Sequence, residues 1–164
     1  MRSFGLDAAA RWTMSSPRSD GKVSLAIGNT IAEMAKVVDF VDQFCAVHNI
    51  SQGIANDFNV CLDELLNNTI SYGYEDQRRH DIVVTLSLKD DLLIAEIQDD
   101  GKPFDPRTFQ SAAPGGALQA RRIGGLGIHF VKTLMDEVGY KRSGRNNVVS
   151  ISKKLRGGRA DGDS

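Results

Sequence analysis

The sequence has few cysteines, no long apolar run and no excess of charge of either sign. Cys45 and Cys61 lack the spacing of metal ligands and are too few for a disulfide framework, so we expect buried free thiols in a reducing cytosol. No stretch approaches the roughly 20 apolar residues of a membrane span, and the N-terminus lacks a signal peptide's apolar run. The 20 basic and 21 acidic side chains leave no basic excess for nucleic acid. These absences favour a cytoplasmic protein without direct membrane or nucleic-acid binding.

What is present is the composition of one globular domain. The chain has 164 residues, of which 41% are hydrophobic and 25% charged, enough for a substantial core. Both ends lack periodicity and are rich in small and charged residues. We therefore expect a mobile tail over 1–21, one domain over 22–155 and a disordered tail over 156–164.

Apolar periodicity within the domain predicts alternating helices and strands. The expected strands are 22–28, 81–90, 91–99 and a closing hairpin over 139–155, and the expected helices are about 29–49, 53–72 and 125–137. In the strand 91–99, the parity of Leu93 points Asp99 toward the core and Glu96 away from it. The pattern predicts an α/β two-layer sandwich, a mixed and mostly antiparallel sheet with helices packed on one side.

The first helix is expected to bury one apolar stripe. Helical spacing selects Ile31, Met34, Val38, Val41, Phe44 and Val47 (or its neighbour His48). Thr30 and Glu33 have the spacing of a capping box, in which each side chain bonds the backbone N–H of the other residue.

The segment CLDELLNNTISYGY (61–74) places two polar side chains on one helix face. Glu64 and Asn68 are four residues apart and therefore project one above the other. A carboxylate beside an amide oxygen suits a magnesium ion with its waters, or a proton acceptor. The alternative is that Asp63, Glu64, Asn67 and Asn68 are only the solvated face of an amphipathic helix.

The segment IAEIQDDGKPFDP (94–106) ends a strand with a carboxylate on its core-facing side. Asp99 needs a hydrogen-bond donor if it is buried, and a ligand amino group would provide one. The alternative is a turn-capping aspartate, because Asp-Asp-Gly is common turn chemistry.

The segment RIGGLGIHF (122–130) begins a helix with three glycines, at 124, 125 and 127. A helix N-terminus attracts anions, and glycines let phosphate approach the backbone closely. There is no GK[ST] sequence and so no Walker loop. By itself, the glycine run is a weak signal and favours a flexible hinge.

The order of these three segments resembles the GHKL ATPase superfamily and, within it, the anti-sigma-factor serine kinases of bacterial partner-switching systems. DELLNNTISYGY resembles the family's N box, DDGKPFDP its first glycine box and GGLGIHFVKTLMDEVGY its second. NNVVSISKKL resembles its last strand, so the likeness covers about 22–155. Two departures are Pro103, in place of a second glycine, and Tyr72, where close relatives often have histidine.

The resemblance assigns roles residue by residue. It implies the Bergerat ATP-binding fold, with Glu64 as the general base and Asn68 as a Mg²⁺ ligand. Asp99 would accept the adenine amino group, and Gly101 would let the base approach. A lid over 106–123 would close the site on the phosphate side. The triphosphate would contact Gly125, Leu126 and Gly127. Arg122, or its neighbour Arg121, would contact the γ-phosphate.

The resemblance also implies a function. It predicts an ATP- and Mg²⁺-dependent serine/threonine-protein kinase that phosphorylates a STAS-type anti-sigma-factor antagonist and sequesters a sigma factor. Histidine-kinase activity is disfavoured, because His48, His80 and His129 all lie within the domain. The alternatives are a nucleotide-dependent binding module without phosphotransfer and another regulatory protein of the same fold. A homodimer is left open.

Overall fold

The structure is a computed structural model that describes residues 21–108 and 125–155. The tails predicted at 1–20 and 156–164 and the lid residues 109–123 lie outside this range. The described elements, in chain order, are β1 (Val23–Gly28), a 3-10 turn (Ile31–Met34), α1 (Ala35–Val47), α2 (Gln52–Tyr72), β2 (Asp81–Lys89), β3 (Leu92–Asp99), a 3-10 turn (Pro106–Thr108), α3 (Gly125–Leu134), β4 (Glu137–Ser143) and β5 (Asn146–Lys154).

The five strands form one sheet in the order β1-β2-β3-β5-β4. Every pairing among the described strands is antiparallel, so the predicted mixed sheet is wholly antiparallel there. The β2–β3 turn places Asp90 at φ 54°, and the β4–β5 turn places Gly144 at φ 60°, a region that favours glycine. The predicted α/β two-layer sandwich is confirmed.

The core lies between one face of the sheet and the helices. On β3, Leu93, Ala95, Ile97 and Asp99 are buried while Gln98 is exposed, which confirms the predicted strand parity. Helix α2 supplies the predicted stripe from Phe58 to Leu66 and packs between α1 and α3. The sheet and α2 therefore fix Asp99 and the Glu64–Asn68 pair relative to each other.

The predicted buried stripe of the first helix is wrong for half of its residues: Met34, Val41 and Phe44 are buried as predicted, but the other three positions are not. Ile31, Val38 and Val47 are 56%, 41% and 76% exposed, whereas the buried residues are Met34, Val37, Phe40, Val41, Phe44 and Cys45. Residues 31–34 form a 3-10 turn, which rotates the chain by a different angle per residue than the α-helix after it. The helix thus carries apolar residues on two faces, and only one of them meets the core.

The predicted capping box is also absent. Thr30 makes no side-chain cap bond. The Glu33 carboxylate instead accepts from the backbone N–H of Gly28 at 3.3 Å and from Lys36 Nζ at 2.9 Å. Glu33 therefore ties the 3-10 turn to the end of β1.

Two further predictions concern the cysteines and the end of helix α3. Cys45 and Cys61 are buried free thiols, and burial raises their pKa values to about 11 and about 12. Helix α3 ends at Leu134, three residues earlier than predicted, because Asp136 N already donates to Ser152 O at 2.9 Å. In the described ranges, no helix has the length and apolar character needed to cross a membrane.

Candidate functional site

Four polar positions on α2, two on either side of Leu65 and Leu66, differ in their exposure. Asp63 and Asn67 are exposed, Glu64 is half-buried, and Asn68 is only 8% exposed. A solvated helix face therefore accounts for Asp63 and Asn67 but not for Glu64 and Asn68. A buried amide and a half-buried carboxylate need hydrogen-bond partners, and the described residues around them supply only some of these.

Glu64 lies directly against the first turn of α3. A Cβ atom at Gly127 would overlap the Glu64 carboxyl carbon, so position 127 must be glycine while Glu64 has this conformation. Close packing against Glu64 thus accounts for the glycine at position 127 without any ligand. Its predicted contact with a triphosphate stays a prediction.

The surroundings of Glu64 raise its pKa above the usual value. Burial is the largest cause, and the negative charge of neighbouring Asp63 adds to it. The Asn68 side chain acts in the opposite direction. This contact falls short of a full hydrogen bond, because Asn68 Nδ2 has no partner of good geometry among the described residues. Glu64 is thus a carboxylate with a raised pKa, which keeps its proton to a higher pH than an ordinary glutamate does.

Asn68 fits the magnesium role chemically. Its Nδ2 has no hydrogen-bond partner among the described residues, and its amide oxygen is a type of ligand that Mg²⁺ accepts. The described residues contain no cluster of three or more His, Cys, Asp or Glu side chains placed for a metal. Such an ion would take its other ligands from phosphate oxygens and water.

Asp99, at the end of β3, is 5% exposed. Its Oδ1 accepts from the Gly101 backbone N–H at 2.9 Å and from Asn147 Nδ2 at 3.0 Å. The turn-capping contact of the alternative interpretation is therefore present, and no described residue donates a hydrogen bond to Oδ2. Burial raises the Asp99 pKa, while these two hydrogen bonds oppose the rise.

Asn147 is a site residue that the sequence analysis missed. It is 2% exposed and lies opposite Asp99 in the β3–β5 register. Its Nδ2 also donates to Lys102 O at 2.8 Å, and its Oδ1 accepts from Tyr140 OH and Arg142 Nη1, both at 2.8 Å. The only sequence signal was an amide at the start of a strand after a Gly-Arg turn, which is ordinary turn chemistry.

The packing around Gly101 leaves no room for a side chain. A Cβ there would lie 2.7 Å from Gly73 O and 2.9 Å from Asp99 Oδ1. Lys102 N donates to the same Gly73 carbonyl at 2.8 Å. The turn after β3 is thus packed against the end of α2, and the approach of a base to Gly101 stays a prediction.

Asn68 and Asp99 line one pocket of about 180 Å³. Its other walls are Leu65, Thr69, Tyr72, Gly73, Ile97, Lys102, Pro103, Phe104, Asn147 and Val149. A small-molecule site is typically about 300–1,000 Å³. The pocket therefore suits a ring-sized part of a ligand, with one buried acceptor between apolar walls.

Glu64 faces a second concavity, the helix groove, which lies between α1, α2 and α3. Val38, Asn59, Val60, Asp63, Glu64, Gly127 and Phe130 line it. Val60 and Phe130 are 51% and 53% exposed, unusual for large apolar side chains that lie together. Asn68 and Glu64, one helical turn apart, connect this groove to the pocket.

Some predicted site residues are not brought into this arrangement. Arg121, Arg122 and Gly124 lie outside the described residues. Gly125 and Leu126 form the first turn of α3, the turn that also contains Gly127. The structure thus places a helix N-terminus beside Glu64, and helix N-termini favour anions.

Comparisons with known proteins agree with this geometry. The sequence profile of a family described as "Histidine kinase-like ATPase domain" matches residues 27–153. Serine-protein kinase RsbW of Bacillus velezensis is 28% identical over 109 residues, which make up 64% of this chain and 68% of that protein. Serine-protein kinase RsbW of Listeria innocua is 30% identical over 86 residues, 50% of this chain and 55% of that protein.

A solved structure shares the fold. The crystal structure of the RsbU and RsbW domains of Rv1364c from Mycobacterium tuberculosis superposes with a TM-score of 0.60 at 15% identity. The superposition covers 81% of this chain and 31% of that one. The predicted superfamily, and the likeness to its serine-kinase branch, are thus confirmed by profile, relatives and fold.

Proposed function

Because the chain belongs to the histidine kinase-like ATPase domain family, we propose that it is an ATP-dependent serine/threonine-protein kinase that also acts as an anti-sigma factor. Its substrate is a STAS-type anti-sigma-factor antagonist, and its binding partner is a sigma factor. The relatives named as serine-protein kinases support the reaction class. ATP is the phosphoryl donor and Mg²⁺ the accompanying ion.

The observation that carries the proposal is the inward placement of Glu64 and Asn68 beside the pocket of Asp99. In that pocket, the free Asp99 oxygen accepts the adenine amino group, and Leu65, Ile97 and Val149 contact the ring. The phosphates then extend along α2 toward the first turn of α3. Asn68 would hold the magnesium ion, which would neutralise phosphate charge.

Glu64 is the general base in this proposal. The open helix groove admits a serine-bearing segment of a protein, with its hydroxyl beside the Glu64 carboxylate. Glu64 takes the hydroxyl proton as the serine oxygen attacks the γ-phosphorus and the bond to ADP breaks. A raised pKa makes the carboxylate a better proton acceptor near neutral pH.

Label transfer tests the proposal directly. The protein is incubated with Mg²⁺, γ-³²P-labelled ATP and purified STAS-type antagonists from the same organism, and the phosphorylated residue is identified by mass spectrometry. We expect label on a serine or threonine of one antagonist. Glu64→Gln should lower the transfer rate by about 10²- to 10⁴-fold, the usual contribution of a general base.

The same experiment separates the kinase from a binding module. A nucleotide-dependent clamp would bind ATP and an antagonist without transferring label to it. Equal transfer by Glu64→Gln and by the wild type would remove Glu64 as the base.

A further inference from the structure

His80 lies between two carboxylates just before β2. Its Nε2 is 2.7 Å from Asp76 Oδ1, and its Nδ1 is 3.0 Å from Asp100 Oδ1. The ring stacks on Tyr74 with 4.3 Å between centroids. Each ring nitrogen therefore faces an oxygen that can only accept, so the imidazolium form, with two N–H donors, satisfies both contacts.

The two carboxylates belong to different walls of the pocket. Asp76 lies in the loop after α2, four residues beyond Tyr72, and Asp100 follows Asp99 in the turn after β3. Tyr72 and Gly73 line the pocket from the first wall, and Lys102 and Phe104 line it from the second. His80 thus joins the ends of two segments that enclose the ring-sized cavity.

Two further charged contacts lie near the histidine, and the first of them also joins the two segments. Lys102 Nζ pairs with Glu75 at 2.6 Å, and Arg79 Nε lies 3.7 Å from Asp81. The backbone of His80 is anchored on both sides, because His80 N donates to Asn29 Oδ1 and Asn29 N donates to His80 O, each at 3.0 Å. The backbone that carries the imidazole therefore stays in place while the protonation state of the ring changes.

We propose that protonated His80 is a positioning residue that holds the two walls of the nucleotide pocket together, so that nucleotide affinity falls as His80 loses its proton. This inference rests on the proposed function, because it takes an adenine nucleotide as the ligand. A neutral ring has one donor and would present a lone pair to one of the two carboxylates. The Asp76–His80–Asp100 contact would then open on one side.

The direction of the pH dependence follows from the charges around the ring. The hydrogen bond to Asp76 has the largest effect and raises the His80 pKa; burial lowers it, Asp100 raises it again, and the net shift is upward. The contribution of the contact is complete below the usual histidine pKa, about 6.5, and is lost as the pH rises through the folded value. Burial raises the Asp99 pKa, and protonation of Asp99 would weaken binding as the pH falls, which is the opposite direction.

Affinity for Mg·ADP, measured by calorimetry between pH 6 and 9, tests this role. We expect wild-type affinity to fall on the alkaline side, by about tenfold if binding raises the His80 pKa by one unit. In His80→Gln the affinity should be low throughout and should not change across that titration. His129→Gln, an exposed histidine on α3, is the matched control and should follow the wild type.

Reciprocity gives a second readout that needs no variant. If protonation of His80 favours the nucleotide, then saturating ADP must raise the His80 pKa, which NMR of the imidazole protons measures in the wild type. An unchanged pKa, or an alkaline loss of affinity that persists in His80→Gln, would overturn the inference. Absence of ADP binding at every pH would instead remove the nucleotide site itself, and the proposed function with it.

Discussion

At the residue scale, two carboxylates have different surroundings and therefore different proposed tasks. Asp99 is fully buried, and one of its oxygens receives two hydrogen bonds from the protein. Glu64 is half-buried and receives no hydrogen bond of full geometry from the described residues. Fixed donors keep Asp99 an acceptor, while a carboxylate without them is free to take a proton.

The charge of Asp63 provides a test of Glu64 that leaves Glu64 in place. Asp63 raises the Glu64 pKa, so Asp63→Asn should lower it. The acid limb of the rate of phosphoryl transfer should then move to lower pH, because Glu64 must be ionised to accept a proton. A pH–rate profile under saturating ATP measures this. An acid limb identical in wild type and Asp63→Asn would mean that another group sets it; Asp39→Asn, on exposed α1 surface, is the control.

Gly127 tests whether α3 positions the base. In Gly127→Ala the new methyl group would overlap the Glu64 carboxyl, so Glu64 must move or α3 must shift. We expect the transfer rate to fall by up to about 10²-fold, as small misplacements of catalytic groups commonly do. The comparison is with Gly53→Ala, where a Cβ would meet only Ser51 Oγ at 4.0 Å. Similar rates for the two variants would contradict the positioning of Glu64 by α3.

At the element scale, the β4–β5 hairpin supports the turn that follows β3. Asn147 donates to Asp99 Oδ1 and to the carbonyl oxygens of Gly101 and Lys102. Arg142 and Tyr140 both donate to Asn147 Oδ1 and thereby fix the amide so that its NH₂ group faces Asp99. The hairpin thus determines which Asp99 oxygen is left for a ligand.

Removing this amide should destabilise the fold. Asn147→Ala leaves several buried acceptors without their donor, and one such group costs about 1–3 kcal/mol of unfolding free energy. Urea denaturation measures the loss, with the adjacent, less buried Asn146→Ala as the matched control. Equal unfolding midpoints for the two variants would show that the network does not support the turn.

The elements differ in how far the sequence determines them. Strand parity predicted the burial of Asp99, because side chains alternate strictly along a strand. The buried face of α1 was mispredicted, because apolar residues occupy two of its faces and periodicity does not say which meets the sheet. Asn147 could not be predicted, because the acceptors of its amide, Asp99, Gly101 and Lys102, lie 45 to 48 residues away along the chain and become neighbours only in the β3–β5 register.

At the scale of the whole molecule, the apolar face of α1 that does not meet the core contributes to the helix groove. Val38 lies in the helix groove with Val60 and Phe130, beside Glu64. Apolar surface of this kind at a catalytic carboxylate is suited to a macromolecular substrate. Val38, one residue of the mispredicted stripe, is thus part of the surface on which we propose that the antagonist docks.

Substitution in the groove should separate substrate docking from nucleotide binding. Phe130→Ser should raise the KM for the antagonist, because an interface aromatic is lost, and should leave ATP affinity unchanged. Val47→Ser changes an exposed apolar residue near the far end of α1 and is the control. Steady-state label transfer at varied antagonist concentration measures both. Equal KM values for Phe130→Ser and the wild type would place docking elsewhere.

Selective nucleotide binding tests the central claim most directly, because every proposed role depends on it. Calorimetry of the wild type with ATP and Mg²⁺ should show one site per chain, with no binding of GTP, whose base presents an acceptor where adenine has its amino group. Asp99→Asn should lose this binding. No heat of binding with ATP at concentrations on the order of millimolar, or equal affinity for ATP and GTP, would contradict the account.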